Sequence, residues 1–209
     1  MRKKDLVIGV TVGFFIGVLV SPLFKATQPE LYDSVNVFIL PFFLLGTPIG
    51  LFIAQILSKK IPVIWQISKF GVIGILNTLV DWGILALLPV FIGISFESSF
   101  LFIGALTITY YSLYKGMSFL IAVVNSYFWN KYWVFEGKRA LGHKEFIQFL
   151  VISGIGFFIN VGLASAIFIT VSGAGLFTEQ QSGILGAAFA TIISMVWNFL
   201  GYKLVVFKQ

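Results

Sequence analysis

Six long apolar runs, separated by short polar stretches, set the plan of the chain: about Leu6–Phe24, Val35–Leu57, Phe70–Gly93, Met117–Phe135, Phe146–Val171 and Gly183–Phe207. Each is close to or above the roughly 20 residues that a helix needs to cross the hydrocarbon of a bilayer. None shows the short alternation of a barrel strand, and in lipid only helices or closed barrels satisfy every backbone group. The pattern predicts an all-α polytopic membrane protein with six transmembrane helices. A further apolar piece, Phe100–Leu113, is too short to span and is expected to dip into the bilayer or lie along its outer surface.

Composition agrees with that plan. The 209 residues are 58% hydrophobic and only 11% charged, too few charges to cover a soluble globule. There is no cysteine, which excludes disulfides and thiolate metal sites, and the single His143 reads as a solvated loop residue. Neither a cofactor nor a nucleic-acid partner is implied.

Charge then orients the spans. Arg2, Lys3, Lys4, Lys59, Lys60, Lys69, Lys131, Lys138, Arg139, Lys144, Lys203 and Lys208 fall on one side of a six-span count. Lys25 and Lys115 fall on the other, with Glu30, Asp33, Glu97 and Glu179. The positive-inside rule puts both termini in the cytoplasm and the protein in the cell (plasma or inner) membrane. The first run could also be read as a signal peptide, but Lys25 leaves no small-x-small cleavage site. Gly9, Gly13 and Gly17 instead put a flat stripe on one face of a retained helix, suited to close helix packing.

Two pairs of runs repeat. "SYFWNKYWVF" (Ser126–Phe135) aligns with "NFLGYKLVVF" (Asn198–Phe207) at an offset of 72 (207 − 135). "FGVIGILNTLVDWG" (Phe70–Gly83) aligns with "FLVISGIGFFINVG" (Phe149–Gly162) at 79 (149 − 70). Asp81 thereby pairs with Asn160, Ser126 with Asn198, Asn130 with Tyr202 and Lys131 with Lys203. The last four helices are thus expected to form two parallel-repeat hairpins. Residues 1–65 would be an N-terminal two-helix hairpin and 66–209 a four-helix core, with repeat one at 66–136 and repeat two at 145–209.

The motifs of that core carry a resemblance. Phe70-Gly71-Val72-Ile73-Gly74 enters a span with Asp81 deeper in it, and the partner span ends Ser126-Tyr127-Phe128-Trp129-Asn130-Lys131-Tyr132-Trp133-Val134-Phe135. Over about residues 66–209 this is similar to the GtrA family. The chain departs by carrying Ser126 for the first Asn of the closing motif, and by losing the tryptophan and second Asn in the later copy. It also adds two N-terminal spans. The resemblance implies a role in cell-surface polysaccharide synthesis, on polyprenyl-phosphate-linked sugars that are moved across the bilayer or passed to a membrane glycosyltransferase.

Candidate chemistry follows from depth. Asp81 lies eleven residues beyond Phe70, about 16 Å along the helix and near mid-bilayer. An intramembrane acid is costly and marks a functional site by default. Asn77 is one turn away on the same face, and Asn160 holds the matching depth in the second copy. Together they make either a polar track for a sugar headgroup or an interhelical hydrogen-bond set. Near the cytoplasmic ends, Asn125, Ser126, Asn130, Lys131, Asn198, Tyr202 and Lys203 supply amides, hydroxyls and ammonium groups for phosphate or sugar oxygens. Lysines and aromatics also simply anchor span ends.

Three function classes remain. One is a translocator (flippase) of lipid-linked sugar. Another is a non-transporting subunit that recruits or dimerises a glycosyltransferase, using the glycine stripe and the basic face. The third is a drug or ion transporter built on Asp81. An independent glycosyltransferase is excluded by the lack of a soluble domain and of a D-x-D metal motif, so no enzyme activity is expected. A bundle this thin also suits a homodimer.

Overall fold

The apolar runs become helices because the backbone has no other donor in lipid, and the chain's exterior is correspondingly inverted. Phe91, Val90, Phe158, Ile169 and Phe38 are among many large apolar side chains left more than two-thirds exposed. A water-soluble protein does not carry so much apolar surface. A computed structural model describes residues 1–103, 106–137, 142–175 and 177–208.

The helices are α1 (Lys3–Thr27), α2 (Pro29–Ser58), α3 (Val63–Ile92), α4 (Tyr110–Trp129), α5 (His143–Gly173) and α6 (Glu179–Gly201). Among the described residues five are long and apolar enough to cross a membrane, and α4 is not one of them. Its first turns, with Tyr110, Tyr111, Ser112, Tyr114 and Lys115, are too polar. His143 opens α5 and is exposed, while the basic Lys138 and Arg139 lie outside the described residues.

The short apolar piece, expected to dip into the bilayer or lie along its surface, has a defined local structure. It folds as an antiparallel hairpin of β1 (Ser99–Ile103) and β2 (Leu106–Thr109), with Ser99 opposite Thr109 and Ile103 opposite Leu106. Its last residues, Tyr110–Leu113, already belong to α4. Lys115, assigned by the sequence to the outer loop, therefore sits in the second turn of a helix. Gly93, in the left-handed region at φ 77°, ends α3.

Two compact units result, Met1–Val134 and Phe135–Gln209. In the first, α1 and α2 form a tight hairpin along the glycine stripe. A Cβ at Gly13 would collide with the Phe43 carbonyl, and one at Gly17 would lie 2.9 Å from Leu40 Cδ1. Close packing of that kind is what small residues provide when no hydrophobic force drives helices together. The α3–α4 hairpin packs in the same unit. In the second unit, α5 and α6 form a hairpin of their own, and Thr178 caps α6 with a reciprocal capping box through Gln181.

Both hairpins close alike. After α4 the helix widens into a π turn at Asn130–Val134, and after α6 into a second at Tyr202–Val206. The offset is again 72 (202 − 130), so the repeat seen in the sequence is also one of backbone geometry. In the second turn the Phe207 N–H bonds to the Tyr202 carbonyl, five residues back, at 2.8 Å. Short π segments of this kind are frequent at functional sites.

Candidate functional site

The polar residues of the first hairpin line up on the facing sides of α3 and α4. Asn77 and Asp81 are one turn apart on α3. Lys115, Ser118, Asn125 and Trp129 recur on α4 at spacings that keep them on one face. The Asp81 carboxylate is ion-paired with Lys115 and accepts the Ser118 hydroxyl at 2.7 Å. The Asp81 side chain is 16% exposed, so it is turned to α4 and away from lipid. One step along, Asn125 donates to Asn77 Oδ1 at 3.4 Å and accepts from the Trp129 indole at 3.2 Å. Asn130 then donates to the Ser126 carbonyl at 2.8 Å and to its hydroxyl at 3.2 Å, while its own buried Oδ1 has no partner among the described residues. Asn77, Asp81, Asn125, Ser126 and Asn130 thus belong to one column in the α3–α4 hairpin, whereas Asn160, which the sequence reading joined to Asn77 and Asp81 in one track, makes its bonds within the second unit.

At its foot the column meets a buried charge cluster. The Asp5 carboxylate, 1% exposed, accepts from Arg2 at 2.7 and 3.1 Å and from the Trp133 indole at 3.0 Å. Lys69, equally buried, donates to the Trp133 carbonyl at 2.6 Å, and Lys4 donates to the Tyr132 carbonyl at 3.2 Å. The carbonyls at a helix end lack intrahelical donors, and ammonium groups are well suited to satisfy them. Two lysines cap the first π turn in this way. Lys131 is fully buried with its ammonium 5.7 Å from the Tyr127 ring centre. It does not reach out to an interface as an anchoring lysine does.

The second hairpin has its own polar set. Asn160 donates to Ser194 at 3.1 Å and to Thr191 at 3.4 Å, and the Trp197 indole donates to the Ile152 carbonyl at 3.2 Å. Ser153 gives its proton to the Phe149 carbonyl at 2.8 Å, so the Tyr202 hydroxyl, 2.6 Å away, is the donor between them. Tyr202 stacks on Phe149 with centroids 4.1 Å apart. The Asn198 amide lies against Gly156, its Oδ1 unpartnered. Lys203 lies over the Phe199 ring at 5.7 Å.

The two copies trade side chains at matched positions. Asn77 of α3 corresponds to Gly156 of α5, and Ser126 of α4 to Asn198 of α6. The amide at this level comes from the first helix in one copy and from the second in the other, and Gly156 leaves room for it. Gly74 and Asn130 are replaced by Ser153 and Tyr202, which gain a hydrogen bond between the two helices of the second copy.

Sequence reasoning missed Lys115, Ser118, Asp5 and Lys69. The face 115–118–122–125–129 was the available signal for the first two. No local pattern announced the others, because Asp5 reaches its partner across 128 residues of chain.

These features bear on ancestry. A family model for the GtrA/DPMS transmembrane domain matches residues 69–207. The chain belongs to the GtrA family. That match begins at Lys69, the lysine that caps the first π turn, and ends at Phe207, the residue that closes the second. The membrane protein YngA of Bacillus subtilis (strain 168) is 29% identical over 154 residues, covering 72% of this chain and 83% of YngA. No solved structure matches. The GtrA family is generally linked to cell-surface polysaccharide synthesis, and this chain is a multi-pass membrane protein of that family.

Proposed function

We propose that the protein carries the headgroup of a polyprenyl-phosphate-linked sugar across the cell membrane, with its termini in the cytoplasm. The observation that supports this reading most is the polar column on the α3–α4 interface, from Asp81–Lys115–Ser118 through Asn77–Asn125 to Asn130. Helix association in a bilayer does not need a carboxylate, an ammonium group and three amides in series, each costly to place there. A hydroxyl-rich headgroup can exchange hydrogen bonds with that series while its prenyl tail stays in lipid. Within the second unit, Lys203, Asn198 and Tyr202 at the end of α6 would offer ammonium, amide and hydroxyl groups to the phosphate and first sugar.

The alternative is a non-transporting subunit that recruits or dimerises a glycosyltransferase through the glycine stripe and the basic face. The stripe is filled by α2, which leaves the basic face to serve that reading.

Reconstitution of the full chain tests the proposal. Vesicles loaded with a polyprenyl-phosphate-linked sugar are treated with an impermeant reagent that modifies the exposed headgroup. The protein is expected to make the protected inner fraction reactive, and Asp81→Ala and Asn125→Ala to slow that phase. Rates equal to those of protein-free vesicles would refute transport.

A further inference from the structure

The N-terminal hairpin lies largely outside the family match and carries a groove of its own. An open groove of about 400 Å³ between α1 and α2 is lined by Gly17, Val18, Ser21, Pro22, Lys25, Tyr32, Asn36 and Leu40. Its two ends differ in chemistry. Gly17, Val18 and Leu40 make an apolar end, and Lys25, eight residues and about 12 Å further along α1, makes a cationic one. A space graded in this way has the shape and polarity of an amphiphile.

Hydrogen-bonding capacity at the polar end is only partly used. Ser21 and Tyr32 share one hydrogen bond of 3.2 Å, which leaves one of the two hydroxyl protons to give. The Lys25 ammonium lies 5.8 Å from the Tyr32 ring, and among the described residues it has no carboxylate partner. Pro22 has no N–H, so the Val18 carbonyl one turn earlier lacks its helical donor. Asn36 spends its amide N–H₂ on the Asp33 carbonyl at 3.4 Å, keeping its own oxygen available. The neighbouring acids Glu30 and Asp33 do not line the groove. Donors for an anion and acceptors for a hydroxyl therefore sit side by side.

We infer that this groove is a binding site for one anionic membrane phospholipid whose phosphate meets Lys25 and the Ser21–Tyr32 pair at the polar end. Phosphatidylglycerol has that chemistry. The acyl end follows the apolar walls of Gly17, Val18 and Leu40. The lipid would brace the glycine-packed hairpin. This reading is independent of whether the protein moves sugars.

Native mass spectrometry of the full chain, released from bilayers of equal phosphatidylglycerol and phosphatidylcholine, tests it. One phosphatidylglycerol is expected to remain bound in preference to phosphatidylcholine. Lys25→Gln is expected to lower its retention about fivefold, the effect of one lysine at an anionic headgroup. Tyr32→Phe should lower it less, and Lys60→Gln, at the exposed end of α2, not at all. Equal losses with Lys25→Gln and Lys60→Gln would reduce the effect to general surface charge and overturn the site. Unchanged retention in Lys25→Gln would do the same, as would release by millimolar inorganic phosphate, which would mark a free-phosphate site.

Discussion

Asp81 of α3 is ion-paired with Lys115 of α4, and the pair is closed by the Ser118 hydroxyl. A carboxylate that looks solitary in the sequence is therefore neutralised within its own hairpin. Removing one partner from a desolvated pair strands the other charge, whereas removing both does not. Lys115 is about one-third exposed, which tempers the effect. Asp81→Ala or Lys115→Ala is expected to lower the melting temperature in detergent, and Asp81→Asn/Lys115→Met to recover most of the loss. Melting curves for the three variants check this; a double variant as unstable as the sum of the singles would contradict the pairing.

Gly13 gives a second expectation. A side chain there meets the Phe43 carbonyl, so Gly13→Val must push α1 and α2 apart. Overpacking of this kind costs about 1–3 kcal/mol. Gly46→Ala, where nothing lies within 4 Å, is the control and should melt with the parent protein. Thermal unfolding of both variants in one detergent decides the matter.

The traded amides allow a swap. Gly156→Ala drives a methyl group into the Asn198 side chain and should destabilise the second hairpin. Gly156→Asn/Asn198→Ser writes the arrangement of Asn77 and Ser126 into α5 and α6, and is expected to be more stable than Gly156→Asn alone. Comparing protease resistance of the single and double variants gives the test.

The fold was legible where one helix speaks for itself. Six helices, the close-packing glycine stripe of α1 and the 72-residue repeat all rest on local spacing and return in the backbone, although five of the helices, not six, are long and apolar enough to span among the described residues. The strands within the piece from Phe100 to Leu113 were not read, because a short apolar run is ambiguous between strand and helix. Its β-branched Ile103, Thr107, Ile108 and Thr109 were the clue. The lysine at 115 was misplaced for the same reason: with the hairpin unrecognised, α4 began too late.

Trp133 ties the family motif to the helix that precedes the family domain. Its indole holds Asp5 while its carbonyl holds Lys69. Trp133→Phe removes the indole N–H together with the five-membered half of the ring, so the buried carboxylate loses a charge-assisted bond worth about 1.5–3 kcal/mol and a cavity is left beside it. Asp5→Asn takes the charge from the same bond on its other side, and the double variant is expected to cost less than the sum of the two singles. Chemical unfolding of the four proteins measures the coupling.

The wide turns at Asn130–Val134 and Tyr202–Val206 have a last consequence. A helix that accommodates an extra residue is set by the number of residues as much as by their kinds. Deleting one position from either pentapeptide would let ordinary winding resume and rotate everything downstream. Trp133 or Phe207 would then swing off its seat with its chemistry untouched, so the spelling of these chain segments is constrained in length before it is constrained in letters.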